Sequence, residues 1–214
     1  MLDYMSQILP ALLSGTKMTL SIFFWTLIIS IPLGAIVGLG LISKFKPLVW
    51  IINLYVWLMR GTPLLLQLIF VFYGLPIVGI IFQRYDAALF AFILNYTAYF
   101  AEIFRGGFQS VPNGQFESAR VLRLSYPQTI RYIVIPQVFK IVLPSIGNEV
   151  INLIKDSSLV YVIGLGDLLR AGNVATARDV TLVPLIMVGA IYLILTAVCT
   201  IVLKVLEKRS SVWR

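Results

Sequence analysis

The densest group of side chains able to do chemistry lies between residues 148 and 158. Asn148, Glu149, Asn152, Lys155, Asp156, Ser157 and Ser158 stand there in an otherwise apolar run. On a helix, Asn148, Asn152 and Lys155 fall at i, i+4 and i+7 and share a face; Glu149, Asn152 and Asp156 share an overlapping one. Ionisable groups at membrane depth are costly, so they line a cavity or pair with each other. The spacing suits a polar passage for a zwitterion. Lys155 would meet a carboxylate, and Glu149 an ammonium or a cationic side chain. Two plainer arrangements fit the same spacing: a buried Glu149–Lys155 pair holding helices together, or Lys155 and Asp156 lying at the outer interface. Thr62 and Gln67, on a second apolar run, are further candidates for contact with a solute.

What is missing narrows the class. There is no His, so Ser-His-Asp chemistry and His metal sites are excluded, and the single cysteine, Cys199, allows no internal disulfide. No G-x-x-x-x-G-K-[ST] phosphate loop occurs; Gly15-Thr16-Lys17 lacks its spacing. The chain therefore carries no expected catalytic residue, metal or cofactor. If ATP drives it, the nucleotide and its Mg belong to another subunit.

The elements that must hold these residues are membrane helices. Of 214 residues, 59% are hydrophobic and 12% charged, against about a quarter charged in a soluble domain. At ~20 apolar residues per crossing, the length suits one membrane domain, residues 1–214: an all-α bundle of five transmembrane helices. The expected spans are about 18–42, 62–82, 87–104, 138–163 and 182–203. Residues 1–15 read as a separate short amphipathic segment. Gly34 and Gly38 in the first span have the spacing that lets helices approach closely. Leu48 to Met59 reads as an interfacial helix, with Trp50, Tyr55 and Trp57 suited to headgroup depth, and Arg60-Gly61-Thr62-Pro63 as a break. The third span carries Asn95, Tyr96, Thr97 and Tyr99 and ends in Glu102 and Arg105, an i,i+3 pair.

The formal net charge is +8. A nucleic-acid partner would require a basic soluble face; here the basic residues cluster at span ends and report topology. Lys44 and Lys46, then Arg105, Arg120, Arg123 and Arg131, then the basic tail follow the first, third and fifth spans, while the alternate loops are balanced. The positive-inside rule then puts the N-terminus outside and the C-terminus in the cytosol.

Between Val111 and Pro144 runs the longest polar passage, built as two short capped helices. Asn113 and Gly114 can start the first, with Glu117 in its first turn, where the helix dipole favours a carboxylate. Ser125 can cap the second, with Pro127 in the first turn, Gln128 completing a capping box, and Pro136 ending it. The cytosolic loop spans about 111–136.

Gly114-Gln115-Phe116-Glu117-Ser118-Ala119-Arg120, followed by Ile135-Pro136-Gln137 and Leu143-Pro144, resembles the EAA coupling loop of ABC importer permeases. Val111-Pro112-x-Gly114-Gln115 before the glutamate is similar to the polar-amino-acid branch, the histidine and glutamine permease type. So are Arg60-Gly61-Thr62-Pro63-Leu64-Leu65, Asn95-Tyr96-Thr97-Ala98-Tyr99 and Ala101-Glu102-x-x-Arg105-Gly106. Two departures stand out: Ser118 replaces an Ala, and Arg123 replaces the Gly at which the two short helices turn. The resemblance implies the type I ABC importer permease fold, with alternating access driven from the cytosol. Gly114, Glu117, Ser118, Ala119, Arg120 and Arg123 would form the ATPase-coupling site, with Glu117 as anchor. It implies two ATP-binding cassette subunits, a second permease chain (identical or paralogous), an extracytoplasmic substrate-binding protein and a prokaryotic cytoplasmic membrane. The residues of the fourth span, Glu149, Asn152 and Lys155, would contact substrate, with Thr62 and Gln67 beside them. The alternative is a stand-alone ion-coupled secondary transporter, which would show repeated halves; this sequence shows none.

Overall fold

The computed structural model describes residues 2–211. Among these all regular secondary structure is helical, without strands. Helix α1 (Leu2–Leu41) has 40 residues, about 60 Å at 1.5 Å per residue and so twice the ~30 Å hydrocarbon core. The expected break before residue 18 does not exist. Ile8 and Leu12 are buried against Leu168 and Val188, so packing continues the helix through Pro10.

Helix α2 (Lys46–Gly61) and helix α3 (Leu64–Ile69) are bent by 104°. Thr62 is extended (φ −119°, ψ 146°), the conformation that a following proline imposes. A π-helical turn (Phe70–Gly74) and a 3₁₀ turn (Leu75–Val78) prolong α3. The helical path stops at Gly79 (φ +85°), short of the expected residue 82, where Gly79 and Ile80 donate to Pro76 and Leu75 at 3.0 and 3.1 Å.

Helix α4 (Arg84–Gln109) is the axis of the core. Phe92, Tyr96 and Phe100 are buried along it, with successive rings 6.4 and 6.2 Å apart. Helix α1 crosses it at Gly34 and Gly38: a Cβ on Gly34 would stand 2.4 Å from Phe100 Cβ, and one on Gly38 2.8 Å from the Ala101 carbonyl. Those glycines are the close-approach pair that their spacing indicates.

Helices α5 (Asn113–Val121) and α6 (Tyr126–Thr129) form the polar hairpin. Pro136 does not end α6. The chain runs through a π-helical turn (Ile130–Val134) into helix α7 (Ile135–Asp156), with Pro136 in the first turn of α7. There a missing N–H is tolerated, and the wider turn before it absorbs the proline ring. The last seven residues of this span, Ser157–Ile163, are 3₁₀. Helix α8 (Leu168–Asp179) fills a connection read from sequence as loop, and helix α9 (Val183–Ser211) closes the bundle with Leu193, Ile194, Val198, Ile201 and Val202 exposed. Four helical stretches among the described residues are long and apolar enough to cross a membrane, and the bent pair Lys46–Gly61 and Leu64–Val78 brings the number to five when counted as one span.

Candidate functional site

The break between α2 and α3 builds one wall of the site. Ending α2 at Gly61 leaves its last carbonyls without helical partners, and in an apolar setting each must find a donor. Gln67 Nε2 donates to Met59 O at 2.9 Å, Thr62 O at 3.2 Å and Thr62 Oγ1 at 2.8 Å. Asn95 Nδ2 donates to Met59 O and to Gln67 Oε1, both at 3.0 Å. Thr62 Oγ1 donates to Leu58 O at 2.8 Å. This network pins the break to α4.

Arg60 and Thr62 are thereby held at the edge of a cavity of about 580 Å³. Asn95, Tyr96 and Tyr99 of α4 and Glu149, Asn152 and Asp156 of α7 supply its other polar walls. Tyr96 donates its hydroxyl to Asp156 Oδ2 at 2.8 Å. The Arg60 guanidinium stands 5.5 Å from the Tyr99 ring centre and 3.9 Å from Glu102. Arg105 grips Glu102 through Nε at 2.9 Å and through a second guanidinium nitrogen. The cavity thus sets two carboxylates of α7 across from one guanidinium of α2, with amide and phenol groups between.

Of the residues proposed from sequence, Glu149, Asn152 and Thr62 meet at this cavity. Lys155 does not join them. It is exposed and lies with Ser158, Leu169, Leu185, Gly189 and Tyr192 in a separate cleft between α7, α8 and α9. At 100° per residue it stands about 120° around α7 from Glu149, and no Glu149–Lys155 ion pair forms among the described residues. The i, i+4, i+7 face through Lys155 gives way to the face of Glu149, Asn152 and Asp156. Gln67 is turned into the helix break. Sequence reasoning left Arg60, Asn95, Tyr96, Tyr99 and Asp156 out of the site. Their signals were a charge before the break, a polar run in an apolar helix, and the second face of α7.

The cytosolic hairpin is a second organised surface. Pro112, not Asn113, occupies the cap of α5 and gives no side-chain hydrogen bond, so Glu117 lies just beyond the first turn. Ser125 N–H donates to Gln128 Oε1 at 2.8 Å, as a capping box requires. Between them Arg123 has φ +54°. Leu124 N–H reaches Ala119 O, and Arg123 N–H reaches Arg120 O, both at 3.0 Å. This is a Schellman closure, in which the left-handed position is ordinarily glycine. Gly114, Glu117, Ser118, Arg120 and Arg123 are exposed, while Ala119 is buried. Val121, Leu122 and Tyr126 are 82%, 70% and 73% exposed at the hairpin tip.

Residues 30–212 match the family described as the binding-protein-dependent transport system inner membrane component. The chain belongs to that family. It is therefore an integral inner-membrane permease subunit of an ABC importer, in which ATP hydrolysis falls to a separate subunit, and not an ion-coupled carrier. This permease is 40% identical over 212 residues to the arginine transport system permease protein ArtQ of Bacillus subtilis (strain 168), covering 97% of each chain. It matches a chain from the crystal structure of an amino acid ABC transporter with histidines at 36% identity and a TM-score of 0.90, covering 96% of this chain and 97% of that one. A chain from a structure of inward-facing conformations of the MetNI methionine ABC transporter shares the fold at a TM-score of 0.77 and 18% identity, with 98% of this chain and 99% of that one covered.

Proposed function

We propose that this permease carries basic amino acids inward across the cytoplasmic membrane, binding them in the cavity between α2, α4 and α7. The observation that carries the reading is the pairing of Glu149 and Asp156 with Arg60 on one cavity. Arg60 receives the α-carboxylate, Glu149 and Asp156 receive the ammonium and the cationic side chain, and Asn152 and Thr62 complete the polar lining. An acidic side chain on the ligand would face two carboxylates, and a neutral one would leave one of them unpaired in a low-dielectric site. The arginine named with one similar protein agrees with this charge pattern.

The hairpin of α5 and α6 is the coupling surface. Exposed apolar residues at the tip of a polar hairpin mark a protein contact, and Val121, Leu122 and Tyr126 supply one beside Glu117. Gly114, Glu117, Ser118, Arg120 and Arg123 line that surface, and buried Ala119 seats it. ATP-binding cassette subunits, one per permease, hold the ATP and Mg and dock here; closure on ATP moves α7 through the Ile130–Val134 turn and opens the cavity outward. Ser145, Asn148 and Asn152 are exposed along α7 at membrane depth, where a polar stripe is costly against lipid. A second permease chain covers it. A substrate-binding protein delivers ligand at the outer ends, with the N-terminus outside and the C-terminus in the cytosol. The test is Glu117→Ala in the reconstituted importer: ATP hydrolysis persists while uptake of labelled L-arginine stops. Normal coupled uptake would overturn the coupling assignment.

A further inference from the structure

Resting on the carboxylate-at-Arg60 reading, we infer that Glu102 is a positioning residue that sets how tightly Arg60 holds the ligand, with Arg105 as its counterweight. Glu102 does not line the cavity. It follows Tyr99 by three residues on α4 and so stands just beneath it on the same face. Arg105, three residues further on, takes both of its oxygens. One of them also lies 3.9 Å from Arg60, the outer limit of an ion pair. Arg60 makes no closer contact with a carboxylate among the described residues.

The ligand carboxylate and Glu102 therefore compete for one guanidinium. A fully charged Glu102 would hold Arg60 back from the cavity. Arg105 neutralises most of that charge, so the tether is long and easily exchanged. Two consequences of opposite sign follow. Removing the Glu102 charge frees Arg60 from that tether, and the ligand binds more tightly and leaves more slowly. Removing Arg105 turns the Glu102 charge on Arg60, and the ligand binds more weakly. A residue that merely held the helices in place would weaken binding in both cases. The Arg60 and Glu102 side chains are 41% and 28% exposed, so each effect is about two- to fivefold, the scale of a solvent-screened ion pair.

The experiment is equilibrium binding of tritiated L-arginine to the purified permease–ATPase complex, without the substrate-binding protein, followed by its release rate. Glu102→Gln is expected to bind two- to fivefold more tightly and release more slowly, and Arg105→Gln to bind two- to fivefold more weakly. Should Glu102→Gln fail to assemble, Glu102→Ala, which removes the same charge, carries the test: it too should bind more tightly, and weaker binding would overturn the positioning role. Arg60→Gln separates the two claims. If it binds L-arginine like wild type, the carboxylate-at-Arg60 reading fails. If it loses binding while Glu102→Gln and Arg105→Gln shift affinity in the same direction, or not at all, the positioning role alone is overturned.

Discussion

Arg123→Gly should tighten the cytosolic hairpin. Arg123 sits at φ +54° between α5 and α6, a conformation that costs a residue with a Cβ roughly 1–2 kcal/mol. Glycine removes that strain but has more freedom to lose on folding, worth about 0.5–1 kcal/mol. The net gain is about 1 kcal/mol, or roughly a fivefold change in a local opening equilibrium. The reporter is the Leu124 amide, whose hydrogen bond to Ala119 O at 3.0 Å closes the turn. Native-state hydrogen exchange in detergent or nanodiscs should show that amide exchanging about fivefold more slowly in Arg123→Gly. Arg123→Ala keeps the Cβ and should show no such slowing. Equal slowing in both variants would trace the effect to loss of the guanidinium, and faster exchange in Arg123→Gly would refute the strain argument outright.

Gly34→Val should destabilise the bundle by several kcal/mol or prevent its assembly, because even a Cβ there stands 2.4 Å from Phe100 Cβ; thermal unfolding checks it, and an unchanged midpoint would contradict the close crossing of α1 and α4. Gln67→Leu takes the donor from the Thr62 carbonyl, one of two from the Met59 carbonyl, and the acceptor from Asn95, and should cost about 1–3 kcal/mol; unfolding in detergent with the stability of wild type would show the break to be held by other means. Burial pushes the Asp167 carboxyl up to about 6, against the pull of the Leu169 and Arg170 amides that it caps. The folded chain then keeps this proton to higher pH than the unfolded chain, so stability is lost as pH rises from about 4 to about 6 and is regained on acidification. Wild type should gain about 1 kcal/mol between pH 7 and pH 5 from this group. Asp167→Asn should lack that gain, and an identical pH response in the two would remove Asp167 as its source.

Much of this architecture is legible in the sequence because a bilayer imposes strong rules. Apolar runs, span-end charges and the Gly34–Gly38 spacing each follow from one local constraint. The hairpin was legible too, since Ser125, Pro127 and Gln128 carry their own capping chemistry. Boundaries were lost where tertiary packing overrode a local signal. Helix α1 runs on through Pro10 because Ile8 and Leu12 are buried against α8 and α9, which residues 2–17 alone do not reveal. Pro136 reads as a stop but sits in the first turn of α7, once a π-helical turn precedes it. In the cavity, periodicity offered two faces of α7 sharing Asn152, and only the packing of α4 chose the one with Asp156. Arg60 was missed because its partners, Tyr99 and Glu102, lie about forty residues away in sequence.

The most direct measurement is ATP-driven uptake of labelled L-arginine, L-glutamine and L-glutamate into proteoliposomes holding this permease with its ATPase and binding-protein partners, for wild type and Asp156→Asn. Wild type should take up L-arginine in preference to both others. Asp156→Asn should lose about ten- to a hundredfold in L-arginine uptake, the scale of one charge-assisted contact, while remaining assembled. Preferential uptake of L-glutamate or L-glutamine by wild type, or unimpaired L-arginine uptake by Asp156→Asn, would contradict the assignment of the cavity.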